Sequence, residues 1–355
     1  MSLTKVTDNL RSTTTLDATK LSGNLPAISG ASLTNLPSDI TKSTSEPAGD
    51  TNPSGGVGTL WLRTTTGEMY CCTDATTNAN VWTNIGSGTG DQPNYAATGG
   101  TITTVGSYKY HTFTSSGTFQ VTSLKPGGSM EYMIVAGGGG GGAGHGGGGG
   151  AGGLLENNSF SPSIASYAVV IGAGGAGKTS DGNGSSGNDS TFNSQTAVAG
   201  GYGGGYNNLG GTGGSGGGSG GNNSSTAAAG TAGQGNSGGV GSGTTNASGG
   251  GGGSKVGAGT AGQAASPYGI GGNGGAGYDW KSLGTTYSGG GGAGSDSSHA
   301  GGTGGGGQGT GSQGNAVAGT ANRGHGGGGG GAGMSGTPRN SAAGGSGVVV
   351  IRYLA

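Results

Sequence analysis

Residues Glu131–Glu156 read EYMIVAGGGGGGAGHGGGGGAGGLLE, in which an apolar run leads directly into two long tracts of glycine. The run EYMIVA contains residues that favour β-strands, whereas glycine is depleted in strands and costs more backbone entropy to order than any other residue. Glycine makes up 100 of the 355 residues, and 84 of these glycines follow residue 136. The sequence therefore predicts two different structures side by side, a β-framework and an insert built mainly from glycine.

Strands of the framework flank and interrupt the glycine insert. Stretches rich in Val, Ile, Tyr and Phe predict strands at Tyr108–Phe113, Gly117–Val121, Glu131–Ala136, Tyr167–Ile171 and Val348–Tyr353. The last strand lies in GVVVIRYLA, the most hydrophobic stretch of the chain, and it needs partners that cover its edges. We expect EYMIVA and SYAVVI to be those partners, so that both ends of the insert leave one sheet.

The glycine tracts do not fit collagen, which needs glycine at every third position and abundant proline, because the chain has only nine irregularly spaced prolines. Polyproline-II geometry suits glycine better, since it has three residues per turn and leaves every N–H and C=O free to bond a neighbouring helix. The sequence predicts such a polyglycine-II bundle over residues 137–347. In that bundle we expect non-glycine residues on the outside or in loops, so Ser219 should tolerate substitution better than residues 137–142.

The first 45 residues carry a stripe of apolar side chains among Thr, Ser, Gly and Pro. The stripe consists of Leu16, Leu21, Leu25, Ile28, Leu33 and Leu36. Its spacing imitates a helix, but prolines and glycines interrupt the helical period. One copy buries almost nothing, whereas three copies can bury the stripe on a common axis, which predicts an intertwined homotrimeric stalk. An extended leader that docks on another protein is the alternative.

Residues 46–92 contain a Pro/Gly linker and then a small β-meander, in which β-forming residues flank the turn clusters TTTGE and DATTNAN. Roughly 30 residues make a marginal independent fold. We therefore expect Trp61, Tyr70 and Trp82 to pack together or against another subunit, with sugar stacking by a tryptophan as the alternative. The adjacent Cys71 and Cys72 are interpreted as ordinary strand residues.

Charge and composition argue against several classes of function. The chain has 13 basic and 14 acidic residues, so it lacks a basic footprint for nucleic acid. No apolar run approaches the roughly 20 residues of a membrane helix, and the first residues lack the apolar core of a secretory signal. We expect assembly in the cytoplasm without nucleic acid or membrane insertion. Since only 28% of the residues are hydrophobic, a conventional enzyme is not expected, and no catalytic residue, cofactor or metal is predicted.

Two features that resemble functional sites are interpreted as consequences of the glycine-rich composition. Residues 172–179 read GAGGAGKT and match the phosphate-binding pattern GxxxxGK[ST], but the following TSDGNGSSGNDSTFNS cannot form the helix that this mechanism requires. The histidines His145, His299 and His325 lie in glycine-rich contexts with little but Asp296 to join a metal site. We expect them on the surface or in loops.

Aromatic residues are rare in the insert, and they cluster. Tyr202 and Tyr206 lie in GYGGGYNNL, and SPYGIGGNGGAGYDWKSLGTTY carries Tyr268, Tyr278, Trp280 and Tyr287. Because the chain is poor in charge, recognition has to rest on aromatic stacking and neutral hydrogen bonds, a combination that suits sugars or apolar receptor loops. These six residues are the candidate receptor-binding residues. The alternatives are that the rings only cap the apolar edge of the bundle, or that the site lies in the Thr179–Gln195 loop.

Three stretches resemble parts of phage tail fibres. LDATKLSGNLPAISGASLTNLP resembles the stalk repeats of marine and cyanobacterial phage fibres, and GTLWLRTTTGEMYCCTDATTNANVWTNI resembles a small β-module of such fibres. EYMIVAGGGGGGAGHGGGGGAGGLLE with the closing GGSGVVVIRYLA resembles their glycine-rich C-terminal domain, and the tracts are similar to the polyglycine-II sandwich of T-even-type phage adhesins.

This resemblance implies a virion tail fibre protein. It implies attachment to other virion tail proteins through the N-terminus, and contact with a host surface glycan or outer-membrane protein through loops at the end of the glycine bundle. A bacterial extracellular or matrix filament, whose glycine bundles serve cohesion alone, is the alternative.

The expected fold is all-β and fibrous. Its regions are a trimeric stalk over residues 1–45, a linker and β-meander over 46–92, framework strands over 93–136, a polyglycine-II bundle over 137–347 that contains framework strand 167–171, and a closing strand over 348–355.

Overall fold

Short strands joined by glycine-rich connections make up the regular structure of the chain. The computed structural model describes residues 40–86, 95–125, 127–243, 246–265, 267–295, 305–311, 314–332 and 339–354. All six apolar residues of the predicted stalk stripe lie outside these residues. The chain divides into two units, Met1–Gln92 and Pro93–Ala355.

Within residues 40–86, the described part of the first unit, the strands form one four-stranded sheet with the order β1-β2-β3-β4. Its strands are β1 (Thr41–Ser43), β2 (Leu60–Arg63), β3 (Met69–Asp74) and β4 (Val81–Gly86). Strands β2 to β4 form the antiparallel meander that the sequence predicts. Strand β1 pairs in parallel with β2, so residues 41–43, which the sequence analysis assigned to the stalk, belong to this sheet.

Aromatic packing within the meander follows the sequence prediction. The rings of Trp61 and Trp82 meet edge to face with centroids 5.7 Å apart, and Tyr70 is buried. Cys71 and Cys72 are strand residues with free thiols.

The described residues of the second unit form two five-stranded antiparallel sheets and a two-stranded hairpin. Its strands are β5 (Ala96–Thr98), β6 (Thr101–Val105), β7 (Tyr108–Phe113), β8 (Gly117–Ser123), β9 (Met130–Val135), β10 (Leu154–Phe160), β11 (Ser166–Val170), β12 (Ser190–Phe192), β13 (Gln195–Ala197), β14 (Tyr278–Asp279), β15 (Thr286–Tyr287) and β16 (Val348–Leu354). The central sheet has the order β10-β9-β16-β7-β6, and the outer sheet has the order β13-β12-β11-β8-β5. All five strand predictions are confirmed within a few residues.

The two middle strands β9 and β16 of the central sheet are covered on both faces. Successive side chains of a strand point to opposite faces, and β16 sends Val349 and Ile351 into the core that it shares with the outer sheet. Val348 and Val350 of the same strand join a second apolar cluster on the other face. This double burial explains why the terminal strand is the most hydrophobic stretch of the chain.

One of the two predicted partners of the terminal strand is confirmed and the other is wrong. Strand β16 pairs with β9, as expected, but its other neighbour is β7 rather than the SYAVVI strand. That strand, β11, lies in the outer sheet between β8 and β12. The reason is burial, because β11 leaves alternate residues exposed, whereas neither of the two strands beside β16 has an exposed residue. Both ends of the insert still leave neighbouring strands, since Val135 and Val348 are register partners.

Backbone hydrogen bonds between glycine-rich segments take the place of a side-chain core in the insert. The amides of residues 137–142 donate to three other segments with a period of three residues: Gly137 to Asn188 and Gly140 to Ser185, Gly138 to Gly345 and Gly141 to Ala342, and Gly139 to Gly150 and Gly142 to Gly147. Their carbonyls accept from amides of three further segments. The Gly137 and Gly140 carbonyls accept from Gly200 and Gly203 respectively, and the Gly138 carbonyl accepts from Gly175. The Gly139 and Gly142 carbonyls accept from Gly327 and Gly330 respectively. Each of these glycines is buried, and the segment has six hydrogen-bonded neighbours. We call this part of the structure the glycine lattice.

The expectation that non-glycine residues stay outside the lattice is wrong for small ones. Ser219 and Ser248 are fully buried. Their hydroxyls donate to the backbone carbonyls of Thr226 and Gln263, at 3.1 Å in each case. A serine in the lattice is therefore accommodated because its one polar group is satisfied locally. Ser219 therefore lies inside the lattice, whereas the sequence predicted a place outside it or in a loop.

Candidate functional site

One end of the glycine lattice is a surface made of turns. Residues 136–143 run away from β9 and residues 146–153 return to β10, with paired bonds such as that from the Gly142 amide to the Gly147 carbonyl. Because Val135 and Leu154 are register partners in the central sheet, the turn at 143–146 lies at the end of the lattice away from that sheet.

Three further turns meet the turn at 143–146. Ala143 forms a β-bridge with Gly182, and the Gly221 amide donates to the His145 carbonyl at 2.9 Å. The Asn222 amide donates to the Tyr206 carbonyl, also at 2.9 Å. The turns 143–146, 178–184, 205–208 and 221–227 therefore form one surface, which we call the turn face.

The turn face combines an aromatic pair with neutral polar groups. The rings of His145 and Tyr206 lie 5.4 Å apart, centroid to centroid. Beside them the Asn222 side-chain amide donates to the Asn207 side-chain carbonyl at 2.8 Å, and the Asn183 side chain accepts from the Gly205 amide at 2.9 Å. The polar groups are thus fixed by bonds to each other and to the backbone.

The charge of the turn face is balanced. Within the four turns that define it, the charged side chains are Lys178 and Asp181. The Asp181 carboxylate lies against Gly144, where a side chain would leave it no room. Gly144 and His145 both have positive φ, 71° and 52°, which is a conformation that glycine adopts freely and that histidine tolerates better than most residues. A surface of this kind can stack on a ring and exchange hydrogen bonds with hydroxyl groups.

The other end of the lattice carries a second aromatic group. We call it the base hairpin, and it comprises β14, the 3-10 turn Trp280–Ser282 and β15. Trp280 is 1% exposed and packs with Val348 and Val350 on the central sheet. Tyr278 and Tyr287 are register partners that pack against the same cluster. The base hairpin is held on the central sheet by the packing of these three rings.

Charged groups beside Trp280 form a compact network. The guanidinium carbon of Arg352 lies 4.3 Å from the centroid of the Tyr108 ring, and Arg352 forms an ion pair with Glu131 at 3.1 Å. Lys281 forms a second ion pair with Glu131. Burial alone would raise the pKa of Glu131, but hydrogen bonds from Lys281 and Arg352 outweigh it and lower that pKa. The network holds the hairpin to the sheet, because Lys281 and Glu131 come from the two different elements.

The expectation that the histidines lie on the surface or in loops holds only in part for His325, which directly follows the turn of residues 321–324 but is buried. This residue is 6% exposed, and its Nε2–H donates to the Thr286 carbonyl at 3.2 Å. Burial lowers the pKa of His325 to about 4, so its imidazole is neutral near pH 7. His145 is partly exposed on the turn face, and His299 lies outside the described residues.

The structure separates the six aromatic residues that the sequence grouped together. Tyr206 belongs to the turn face. Tyr202 is partly exposed on the segment that leads into the turn of Tyr206, and its ring lies against Gly211. Tyr268 lies in the loop between the bridged residues Gln263 and Ile270. Tyr278, Trp280 and Tyr287 lie in the base hairpin. For these last three, the alternative interpretation of rings that cap an apolar edge describes the structure better.

Some turn-face residues were missed by the sequence analysis. Asn207 and Asn222 belong to the dipeptides Asn207–Asn208 and Asn222–Asn223, which separate glycine segments. Asparagine between such segments is a turn signal, and it could have located this end of the lattice. His145 was noted, but its contact with Tyr206 could not be predicted because the two residues lie far apart in the chain.

Residues 172–179, the formal match to a phosphate-binding loop, lie in the glycine lattice. The Gly175 amide donates to the Gly138 carbonyl at 2.8 Å and the Lys178 amide to the Ser341 hydroxyl at 2.7 Å. Residues 172–184 contain no helix. Across the described ranges, no three side chains of the metal-binding types are grouped. The same ranges hold no helix with the length and apolar character to cross a bilayer.

Comparison with known proteins yields one family. No curated protein sequence matches the chain. A family model described as a glycine-rich domain matches residues 112–354, which is more than half of the chain and includes strands β8 to β16 together with the glycine lattice. This chain therefore belongs to the glycine-rich domain family.

Proposed function

We propose that this protein is a phage tail fibre protein that attaches the virion to its host through the turn face, in a binding rather than a catalytic role. One observation carries the proposal: the turn face sets the His145–Tyr206 ring pair among fixed, uncharged amide groups. Aromatic faces stack on the apolar faces of sugar rings, while amides bond to hydroxyls. The preferred receptor is accordingly a neutral surface glycan, with a loop of an outer-membrane protein as the other candidate.

In this proposal the glycine lattice is a polyglycine-II bundle. The three-residue period of the hydrogen bonds made by residues 137–142, and their six neighbouring segments, support it, because a helix with three residues per turn directs successive groups to different neighbours. The bundle holds the turns in fixed positions. A rigid platform reduces the entropy that a binding surface loses when it engages its ligand.

The remaining parts of the proposal concern assembly. Residues 1–45 would form the homotrimeric stalk on the apolar stripe from Leu16 to Leu36, and the N-terminus would join other virion tail proteins. The fibre would be assembled in the host cytoplasm and act outside the cell as part of the virion. The resemblance of the N-terminal stretches to phage fibres supports this arrangement.

The test of the proposed function is binding of the purified full chain to an array of bacterial surface polysaccharides. We expect Tyr206→Ala to weaken binding about tenfold, because a ring contact of this kind contributes about 0.5–1.5 kcal/mol beyond its area. Tyr278→Phe, at the opposite end of the lattice, should leave binding unchanged. Raising the salt concentration should have little effect, since no net charge drives the contact.

Two results would contradict the proposal. One is equal binding by the Tyr206→Ala chain and the parent chain. The other is an absence of polysaccharide binding while the purified chain assembles into long filaments, which would favour a cohesive bacterial extracellular or matrix filament.

A further inference from the structure

One segment of the glycine lattice contacts the second strand of the base hairpin. The Ser288 amide donates to the Arg323 carbonyl at 2.8 Å. The guanidinium carbon of Arg323 lies 5.2 Å from the centroid of the Tyr287 ring. The Arg323 Nη1–H and the His325 Nε2–H both donate to the Thr286 carbonyl, at 3.4 Å and 3.2 Å respectively. The lattice therefore holds three consecutive residues at the end of the base hairpin, and we call these contacts the latch.

The latch brings two nitrogen donors to one carbonyl oxygen, and only one of them is a cation near pH 7. The Arg323 guanidinium stays charged in proteins, whereas the buried His325 imidazole is neutral. His325 is 6% exposed. A proton on its imidazole would therefore place a second positive charge out of reach of water and close to the first.

The carboxylates of the surrounding elements are engaged elsewhere. Asp279 accepts from the Gly284 amide at 3.0 Å, and Glu156 accepts from a tyrosine hydroxyl of the hairpin at 3.3 Å. Glu131 is paired with a lysine and an arginine. The other ionisable side chains of the described elements around the latch are cations or tyrosines, namely Lys255, Tyr278, Lys281, Tyr287 and Arg352. Within the described ranges, a proton on His325 therefore gains no negative partner.

We propose that the latch is an acid-sensitive contact, which lets the base hairpin separate from the lattice more often when His325 gains a proton. Separation brings the imidazole into water and moves it away from the Arg323 guanidinium. It also uncovers the Tyr287 ring. The inference does not depend on the proposed function, because the turn face lies at the opposite end of the lattice.

The pH window follows from the two environments of His325. Burial is the main cause that holds the pKa of His325 at about 4 in the latch, against the hydrogen bond to Thr286, and Arg323 lowers it further. An imidazole in water has a pKa of about 6.5. The separated hairpin thus binds the proton more tightly, so the closed latch is fully favoured above about pH 6.5 and loses stability as the pH falls toward 4.

These two values give the size of the effect. Separation should be about 20-fold more frequent at pH 5 than at pH 7. The ion pairs of Glu131 do not contribute over this range, because its pKa lies below the ordinary value of 4.5 and the carboxylate stays ionised at pH 5.

Hydrogen exchange of the purified full chain at pH 7 and at pH 5 tests the latch. Each amide rate is compared with the rate of an unfolded chain at the same pH, which removes the pH dependence of the exchange chemistry. We expect the protection of the amides of residues 278–288 to fall about 20-fold between the two pH values. The amides of β9 should stay better protected than these at both pH values, because they exchange when the whole unit unfolds.

Two variants assign the effect to one histidine. His325→Gln keeps a side-chain N–H donor but does not titrate, so the fall in protection should shrink to less than about twofold. His145→Asn, on the turn face, is the control and should keep the full fall, since asparagine tolerates the positive φ at that position. An equal fall in the parent and the His325→Gln chain would overturn the latch.

A second measurement needs no stable variant. Titration of the His325 imidazole signals by nuclear magnetic resonance reports its pKa directly, and we expect a midpoint below pH 5 in the folded chain. A midpoint near 6.5 would overturn the inference. An absence of polysaccharide binding would overturn the proposed function and leave the latch standing.

Discussion

Gly141→Ala is expected to destabilise the second unit by about 3 kcal/mol or more, although it adds a single methyl group. An ideal Cβ at Gly141 would lie 2.6 Å from the carbonyl carbon of Gly328 and even closer to its oxygen. The obstacle is backbone, whose position is fixed by its own hydrogen bonds, so no side-chain rotation can make room. The measurement is the midpoint of denaturant unfolding, followed by circular dichroism or by tyrosine fluorescence.

The matched control for this substitution is Gly257→Ala. Gly257 lies in the same glycine-rich region, has no atom within 4 Å of its Cβ position and has no positive φ. Alanine there should be neutral or slightly stabilising, because it restricts the unfolded chain. Identical unfolding midpoints for the parent and both variants would show that the segments are not closely packed.

Trp280→Ala is expected to cost about 3–5 kcal/mol of unfolding free energy, as is usual when a large buried ring is truncated. Trp280 is 1% exposed and packs against apolar side chains of β9, β10 and β16. On sequence alone Trp280 is a candidate receptor-binding residue, which predicts that this substitution impairs recognition. The buried position reverses that prediction, because the ring is not available to an external ligand.

Trp280→Phe separates packing from hydrogen bonding at this position. Among the described residues, the Trp280 Nε1 has no hydrogen-bond partner, so phenylalanine should recover much of the stability that alanine loses. Thermal unfolding of the three chains in parallel checks this order. A Trp280→Ala chain that unfolds with the parent would show that the base hairpin does not stabilise the second unit.

The strands could be predicted because their signal is local. Runs such as Val348–Tyr353 and Tyr108–Phe113 combine β-forming residues with a length suited to one strand. The pairing of β16 with β7 could not be predicted in the same way. Strand partners are chosen by burial over long sequence separations, and both candidate partners have comparable β propensity.

The chemical type of the candidate site could be predicted, but its location could not. The scarcity of charge pointed to aromatic rings and neutral amides, which the turn face contains. Which aromatic residue lies at which end of the lattice depends on the direction of each glycine segment, and a glycine tract reads the same in both directions. Tyr206 and Trp280 were therefore grouped in sequence although they lie at opposite ends of the lattice.

The burial of serines in the glycine lattice could not be predicted from composition. A lattice of backbones requires small residues at its contacts, and glycine is the smallest. Ser288 is nevertheless fully buried, with its hydroxyl 2.6 Å from the Gly152 carbonyl oxygen. Such positions are decided by one local acceptor, which sequence composition does not reveal.

The central claim is that inter-segment backbone hydrogen bonds order the glycine tracts into a platform for the turn face. Amide hydrogen exchange of the purified full chain tests it most directly. We expect the amides of residues 137–142 to exchange at least about a thousandfold more slowly than an unfolded chain, comparably to those of β9, because both open only when the unit unfolds. Exchange of residues 137–142 at the unfolded rate, beside a protected β9, would contradict the claim.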